Sequence, residues 1–476
     1  MKENYNFKFF SNLLIFGIVF INIFTLANIN KNDMWIDEAF TYSMIQKTYF
    51  NILTNPIDVH PPISYLIFKL FYELFGIIRY TSYIFYLLSI YLFYCVAKLY
   101  FNNNKNLYTS STLIYAMSWS LLFHGIEFRM YPILMCFSLL STYYYLKFAL
   151  ERDNYYKVTN KSFMYLLIMC MFLYLAVLTH YYSVFLIILF LSWNINNFRN
   201  LFFEFINKVF NGYYSILFYY GTGYLLFYII GQLRFKGKLA VSSGTILSYP
   251  SALLYWFSKP INFTEGYSDW FSLIYFIILI FIIFLLLNLA NNTGTNYLLF
   301  IFGFLAVFII FATKFSAWHP RYFLVYSIPM YLILGKMGIY KYRKYIFLSL
   351  LFISLTFSVI MGYIDKDTEL QKISKFIVKN STKPILINHE SLMSYLPMRY
   401  YLPNTENLLY GKEKSELIRQ GASVINEKYF KDYPVGVWEC NKNIDEYYLD
   451  GGNDNKINNM EIVLNLDGIS IKKVKC

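Results

Sequence analysis

Apolar stretches long enough to cross a bilayer recur along the chain from Phe9 to Tyr363. A hydrocarbon core takes roughly 20 apolar residues per helix. Inside it, each segment must satisfy its own backbone polar groups, so a chain with many such stretches is restricted to a bundle of spanning helices. The stretches fall at 9–27, 80–100, 108–123, 131–149, 162–179, 182–193, 213–231, 270–290, 297–313, 322–337 and 345–363, about eleven in all. The segment 182–193 is short and borrows from its flanks. Composition agrees: only 14% of residues are charged, against about 25% in soluble domains. The first stretch follows Lys2 and Lys8 and has no small-x-small cleavage site, so it reads as a retained helix rather than a removed signal.

Charge placement gives the sidedness. The net charge is +13, yet the segment 364–476 balances its basic and acidic residues, so the excess lies among the apolar spans. Such an excess suits positive-inside anchoring and contact with anionic lipid phosphates. The basic residues form no contiguous stripe, which argues against nucleic-acid binding. Lysine and arginine mark Asn102–Asn106, Glu151–Lys161, Asn194–Asn211 and Lys336–Lys344 as cytoplasmic. The N-terminus is then inside, and 28–59, 124–130, 180–181, 232–269, 314–321 and the tail lie outside.

Two segments depart from simple spanning. Pro61–Arg79 is apolar but carries Lys69, Glu73 and Arg79, and a charge at mid-bilayer costs roughly 2.5–3.5 kcal/mol on insertion scales. An amphipathic helix in the outer interface is expected there, with Pro61 and Pro62 in its first turn. After Tyr363 the composition turns soluble. A helix over 370–379, a strand over 384–388 and a hairpin over 460–475 turning at Asp467-Gly468 predict a small α/β extracytoplasmic domain. The division is therefore 1–363, transmembrane, and 364–476, soluble. If that tail is outside, Cys440 and Cys476 have the compartment for a disulfide.

Five polar clusters punctuate the apolar chain. Asp37-Glu38 sits in the outer loop 28–59, where one carboxylate could take a proton while the other orients it or binds a divalent cation. No complete metal-ligand set accompanies it. Asp58-Val59-His60-Pro61-Pro62 offers an imidazole able to face a phosphate. Glu127-Phe128-Arg129-Met130-Tyr131 offers a guanidinium fork and another carboxylate. Thr179-His180-Tyr181-Tyr182 and Trp318-His319-Pro320-Arg321-Tyr322 follow. Each has a bland explanation as a solvated loop, an interface residue or a snorkelling cation. Together they are less easily dismissed, because the inner-loop charges set the orientation and all five then fall outside. A lipid-phosphate enzyme needs such a rim: a base for the acceptor, cations for the departing phosphate and a groove for the prenyl tail. A transporter or flippase of lipid-linked sugars would instead carry polar groups along a path through the bilayer, usually in paired halves. A non-enzymatic assembly protein would leave the clusters unexplained.

These motifs resemble the outer-loop signatures of the protein mannosyltransferase and aminoarabinose transferase superfamily, C-type-fold glycosyltransferases that use polyprenyl-phosphate sugars. Asp37-Glu38-Ala39 and Asp58-Val59-His60-Pro61-Pro62-Ile63-Ser64-Tyr65 are similar to its first two signatures. Glu127-Phe128-Arg129-Met130-Tyr131 is similar to a Glu-Ala-Arg-Met-Tyr signature, while Thr179–Tyr182 and Arg321-Tyr322 fit later positions. The resemblance covers roughly residues 9 to 340. It implies a donor sugar on dolichyl or undecaprenyl phosphate and inverting transfer to an envelope protein, glycan or lipid. Asp37 would be the base beside Glu38. Asp58, His60, Glu127, Arg129, Tyr131, His180, Tyr181, Arg321 and Tyr322 would line the substrates. Phe128 replaces a small residue and Ser183 a common glycine, and both are expected to change the pocket's width.

Overall fold

The computed structural model describes residues 36–54, 60–155, 159–186, 327–337, 369–389, 392–411, 430–432, 445–450, 460–466 and 469–474, with isolated positions from 12 to 34 and at 190, 223, 224, 324 and 325. The spans 270–290, 297–313 and 345–363, most of 213–231, the stretch 232–269, and Cys440 and Cys476 lie outside them.

The stretch 28–59, expected as a loop, holds two helices instead: α1 (Ile36–Ile45) and α2 (Tyr49–Thr54). The reason is local and tertiary at once. Asp37 and Glu38 occupy the first turn of α1, where carboxylates oppose the positive end of the helix dipole. Ala39, Met44, Ile45 and Ile52 are buried, packing around Tyr65 and Phe68 of α3 (Ile63–Phe75). Helix α3 covers most of the stretch for which an interfacial helix is expected, and Pro61 and Pro62 precede its first turn rather than forming it. Gly76 ends α3 at φ 65°, donating its N–H to the Tyr72 carbonyl at 2.8 Å, a left-handed cap that needs no Cβ. The charges of α3 are met at its edge. Lys69 pairs with Glu73 at 2.7 Å and donates to the Ile45 carbonyl at 3.0 Å, and the Tyr49 hydroxyl donates to Glu73 at 2.7 Å. Phe50, Leu70, Leu74 and Phe75 point outward, as in a helix pair resting on lipid.

Three described helices are long and apolar enough to cross a membrane: α4 (Arg79–Tyr100), α7 (Tyr131–Tyr155, with its apolar part ending at Glu151) and α8 (Asn160–Val177). Their faces are inverted relative to a soluble bundle. Ile84, Leu88 and Tyr91, at i, i+4 and i+7, are exposed along α4, and Met164 and Met171 along α8. Inside lie Ser89, Ser138, Ser141 and Thr142. Apolar faces outward and small polar residues at helix contacts are the pattern of a chain solvated by lipid. The protein is embedded in a membrane.

The stretch 108–123, expected as one span, is broken. Helix α5 (Lys105–Ala116) is capped by the Asn104 side chain, and α6 (Trp119–Ile126) follows after Met117-Ser118. Ser118 is extended and its hydroxyl meets the Tyr331 hydroxyl at 2.5 Å, so the break is held by a buried polar contact. The expected span 182–193 begins instead as a 3-10 turn, Tyr181–Phe185. Helix α9 (Ser327–Met337) packs on α5. There the Ser110 hydroxyl donates to the Gly335 carbonyl at 2.6 Å, and a Cβ on Gly335 would overlap the Ser111 hydroxyl.

The tail contains α10 (Glu369–Asn380), β1 (Ile385–His389), α11 (Leu392–Tyr401), β2 (Glu406–Gly411), β3 (Phe430–Asp432), β4 (Asp445–Asp450), β5 (Met460–Leu466) and β6 (Ile469–Val474). The described strands form one mixed sheet in the order β3-β2-β1-β4-β6-β5. Strands β1, β2, β3 and β4 pair in parallel; β5 and β6 pair antiparallel on either side of Asp467-Gly468. Ile373 and Ile377, one turn apart on α10, are buried with Ile387, Met398 and Tyr447. Helix α11 reaches across to α1. The Tyr400 ring meets Tyr42 edge-on at 5.1 Å, Tyr395 is buried beside Met34 and Tyr65, and the Tyr401 hydroxyl accepts the Met34 N–H at 2.7 Å.

Candidate active site

The two adjacent acids of α1 have different fates. Glu38 is 1% exposed. Arg79, at the start of α4, holds it in a fork, Nε to Oε1 at 2.9 Å and Nη2 to Oε2 at 2.5 Å, while the Phe128 N–H donates to Oε1 at 2.7 Å. Both oxygens are taken. The Asp37 side chain remains 29% exposed. Beside it, the buried Arg129 donates through Nη1 to the Asp37 carbonyl at 3.1 Å and to the Thr41 hydroxyl at 3.2 Å, with Nη2 3.6 Å from Asp37 Oδ2. One guanidinium therefore fixes the helix start and lies beside its accessible carboxylate.

The segment between α6 and α7 braces both acids from one short stretch of backbone. Phe128 N–H serves Glu38, the Arg129 side chain serves Asp37, and the Arg129 N–H donates back to the Glu127 carbonyl at 2.8 Å. The Phe128 ring packs into the protein core. It is fully buried, 4.5 Å from the Phe68 ring and packed with Ile45 and Ile133. Its bulk pins α1 and α3 against α7. Ser183 is likewise buried.

Beyond Arg129, aromatic and imidazole rings line up. Glu127 Oε2 meets His124 Nδ1 at 2.5 Å, and both side chains are buried. The His124 ring is 4.6 Å from Tyr131, Tyr131 is 6.4 Å from His180, and His180 is 5.4 Å from His60. The Ile63 N–H donates to the Leu178 carbonyl at 3.2 Å, tying the start of α3 to the end of α8 and bringing the two histidines together. His180 Nδ1 also accepts from the Tyr182 N–H at 3.4 Å, opening the 3-10 turn that carries half-buried Tyr181.

The structure thus assembles Asp37, Glu38, His60, Glu127, Arg129, Tyr131, His180 and Tyr181 from segments far apart in sequence. Asp58, Arg321 and Tyr322 lie outside the described residues. Two residues outside the five motifs join them: Arg79, which the sequence marks only as a charge unsuited to mid-bilayer, and His124, which stands three residues before Glu127 at a helix end. Among the described residues no group of three potential ligands forms a metal site. Around the site, burial pushes the phenols of Tyr42 and Tyr400 above their ordinary values, so both remain neutral hydroxyls.

No protein-family model matches the sequence, and no curated protein matches it closely enough to count as a relative. Solved structures do match. ArnT from Cupriavidus metallidurans bound to undecaprenyl phosphate aligns at a TM-score of 0.62 and 10% identity, over 97% of this chain and 98% of that one. The same protein in the apo state aligns at 0.59, again with 10% identity and the same coverage. The Archaeoglobus fulgidus oligosaccharyltransferase aligns at 0.46 and 11% identity, over 93% of this chain and 69% of that one.

The chain has the C-type glycosyltransferase fold. In this chain the C-type fold sets α1, the α6–α7 segment and the 3-10 turn around one rim. Asp37 lies on that rim, with Arg129 and the Glu38–Arg79 pair beneath it.

Proposed function

We propose that this protein is a membrane glycosyltransferase that moves a sugar from a polyprenyl phosphate to an envelope acceptor on the extracytoplasmic face, inverting the anomeric centre. The observation that carries the reading is the asymmetry of the acid pair. Glu38 is locked by Arg79 and the Phe128 N–H, and Asp37 alone is presented to solvent on a guanidinium support. A buried structural pair beside an exposed, positioned carboxylate suits one base and one brace. That the similar ArnT structure holds undecaprenyl phosphate supports a polyprenyl-phosphate donor.

In this reading Asp37 takes the proton of an acceptor hydroxyl as its oxygen bonds to the anomeric carbon. The bond from that carbon to the phosphate oxygen breaks, and polyprenyl phosphate leaves with the electron pair. His60 and His180, side by side at 5.4 Å, donate to the departing phosphate, with Tyr181 next in the chain; Asp58, Arg321 and Tyr322 are proposed as further substrate contacts from their sequence motifs alone. The buried Glu127–His124 pair orients the Arg129 segment, and Tyr131 lies between the tilted rings of His124 and His180. Glu38 acts by holding the start of α1 through Arg79. The N-terminus is cytoplasmic, and the segment 364–476 forms the outer domain.

The test is Asp37→Asn in purified protein reconstituted with undecaprenyl-phosphate sugars and an envelope extract. Transfer should fall by roughly 10² to 10⁴-fold, the contribution of a positioned general base, while insertion and accumulation stay normal. Normal transfer by that variant refutes the assignment.

A further inference from the structure

A cleft of about 290 Å³ opens at Arg79, the residue that forks Glu38. It lies where the tail meets the α3–α4 junction. Met34 and Arg79 line it from the membrane part, with Tyr80, and Gln371, Tyr400 and Tyr401 line it from α10 and α11. Two links tie this wall to the acids. Met34 stands three residues before Asp37 and donates its N–H to the Tyr401 hydroxyl at 2.7 Å, and Arg79 is the residue that forks Glu38.

We propose that this cleft receives the acceptor of the transfer as a neutral saccharide. The proposal rests on the transferase reading above and narrows its acceptor from protein, glycan or lipid to a sugar ring. The lining chemistry selects that class. Among the described lining residues Arg79 alone is charged, and the Glu38 carboxylate neutralises it, so that part of the wall presents no net positive charge to an anionic ligand. Three tyrosine rings offer flat apolar faces with hydroxyl edges, and Gln371 offers both a donor and an acceptor. A sugar ring has the matching form: apolar C–H faces and a polar rim of hydroxyls. The volume lies at the small end of ligand sites, which start near ~300 Å³. That is room for a short saccharide. A seated sugar would lie against Met34, three residues before Asp37, and against Arg79.

The test uses ligand-observed saturation-transfer NMR on the purified full chain in detergent. The probes are methyl mannoside, methyl glucoside and methyl N-acetylglucosaminide, with a Ser/Thr-rich peptide and a glycerophospholipid headgroup as competitors. At least one glycoside should bind. Tyr400→Ala and Gln371→Leu should each weaken it about tenfold or more, a loss of about 1.4 kcal/mol, and Asp37→Asn should leave binding intact. Gln371→Leu leaves the Tyr400 and Tyr401 packing on α1 in place, so it reports on the cleft even where Tyr400→Ala loosens the tail. Absence of glycoside binding at millimolar concentration overturns the proposal. So does binding that both variants leave unchanged, or displacement by the peptide or headgroup alone. The two readings fail separately. Loss of transfer in Asp37→Asn without glycoside binding removes the saccharide and keeps the transferase. Glycoside binding without transfer from any polyprenyl-phosphate donor does the reverse.

Discussion

Arg79→Met isolates the energetic role of the brace under Asp37. In the native chain Glu38 is a buried carboxylate with three hydrogen bonds, two from Arg79 and one from the Phe128 N–H. The substitution keeps the stem's volume and leaves the Glu38 charge buried. Removing one partner of a buried pair costs about 3–5 kcal/mol, because the remaining charge is uncompensated. Here the Phe128 N–H stays, so the lower part of that range is expected, about 3 kcal/mol. The double variant Arg79→Met/Glu38→Gln removes the charge while its amide oxygen can still accept from Phe128. It should recover about half of the loss or more, giving a coupling of about 1.5–3 kcal/mol. The assay is unfolding in mixed micelles by SDS titration, followed by circular dichroism for all four members of the cycle. Additivity within about 0.5 kcal/mol refutes the argument, since groups that do not interact add to that tolerance.

Two further outcomes follow from the geometry. Arg129→Lys keeps the charge but loses the fork that reaches the Asp37 carbonyl, the Thr41 hydroxyl and the Asp37 carboxylate. Steady-state kinetics should show kcat reduced about tenfold to a hundredfold, with little change in acceptor KM. Gly335→Ala puts a methyl group against Ser111, whose Cα would lie 2.6 Å away. Overpacking of this kind costs about 1–3 kcal/mol and should lower the thermal midpoint in detergent, whereas Ala at Gly223, where a Cβ meets nothing within 4 Å, should leave that local packing undisturbed.

Much of the membrane part was legible because its signal is local. Helices α4, α7 and α8 follow the hydropathy of their own residues and start or end within a few positions of the expected spans. The break at Met117-Ser118 was not legible, because what holds it is the Tyr331 hydroxyl, from α9. Helices α1 and α2 were missed because they are short and owe their burial to α3. The carboxylates and His60, His180 and Arg129 stood out as ionisable groups in an apolar chain. Their division of labour did not. Glu38 and Asp37 are neighbours with the same chemistry, and it is distant partners of Glu38, Arg79 and the Phe128 N–H, 41 and 90 residues away, that set the two apart. His124 carried a faint signal, a histidine spaced to meet Glu127 at a helix end. The grip of α11 on α1 carried none, since no period or motif links residues so distant.

That grip bears on when the protein becomes active. The Met34 N–H and the Tyr401 hydroxyl are 367 residues apart in the chain. Ribosomes add about 5–20 residues each second, so α1 emerges tens of seconds before the helix that clasps it is made. Until α11 arrives, the start of α1 lacks the Tyr401 hydroxyl and the Tyr400 ring, and the cleft lacks a wall. A nascent chain that ends before α11 would hold its acids without the clasp, and the cleft would gain its second wall only late in synthesis.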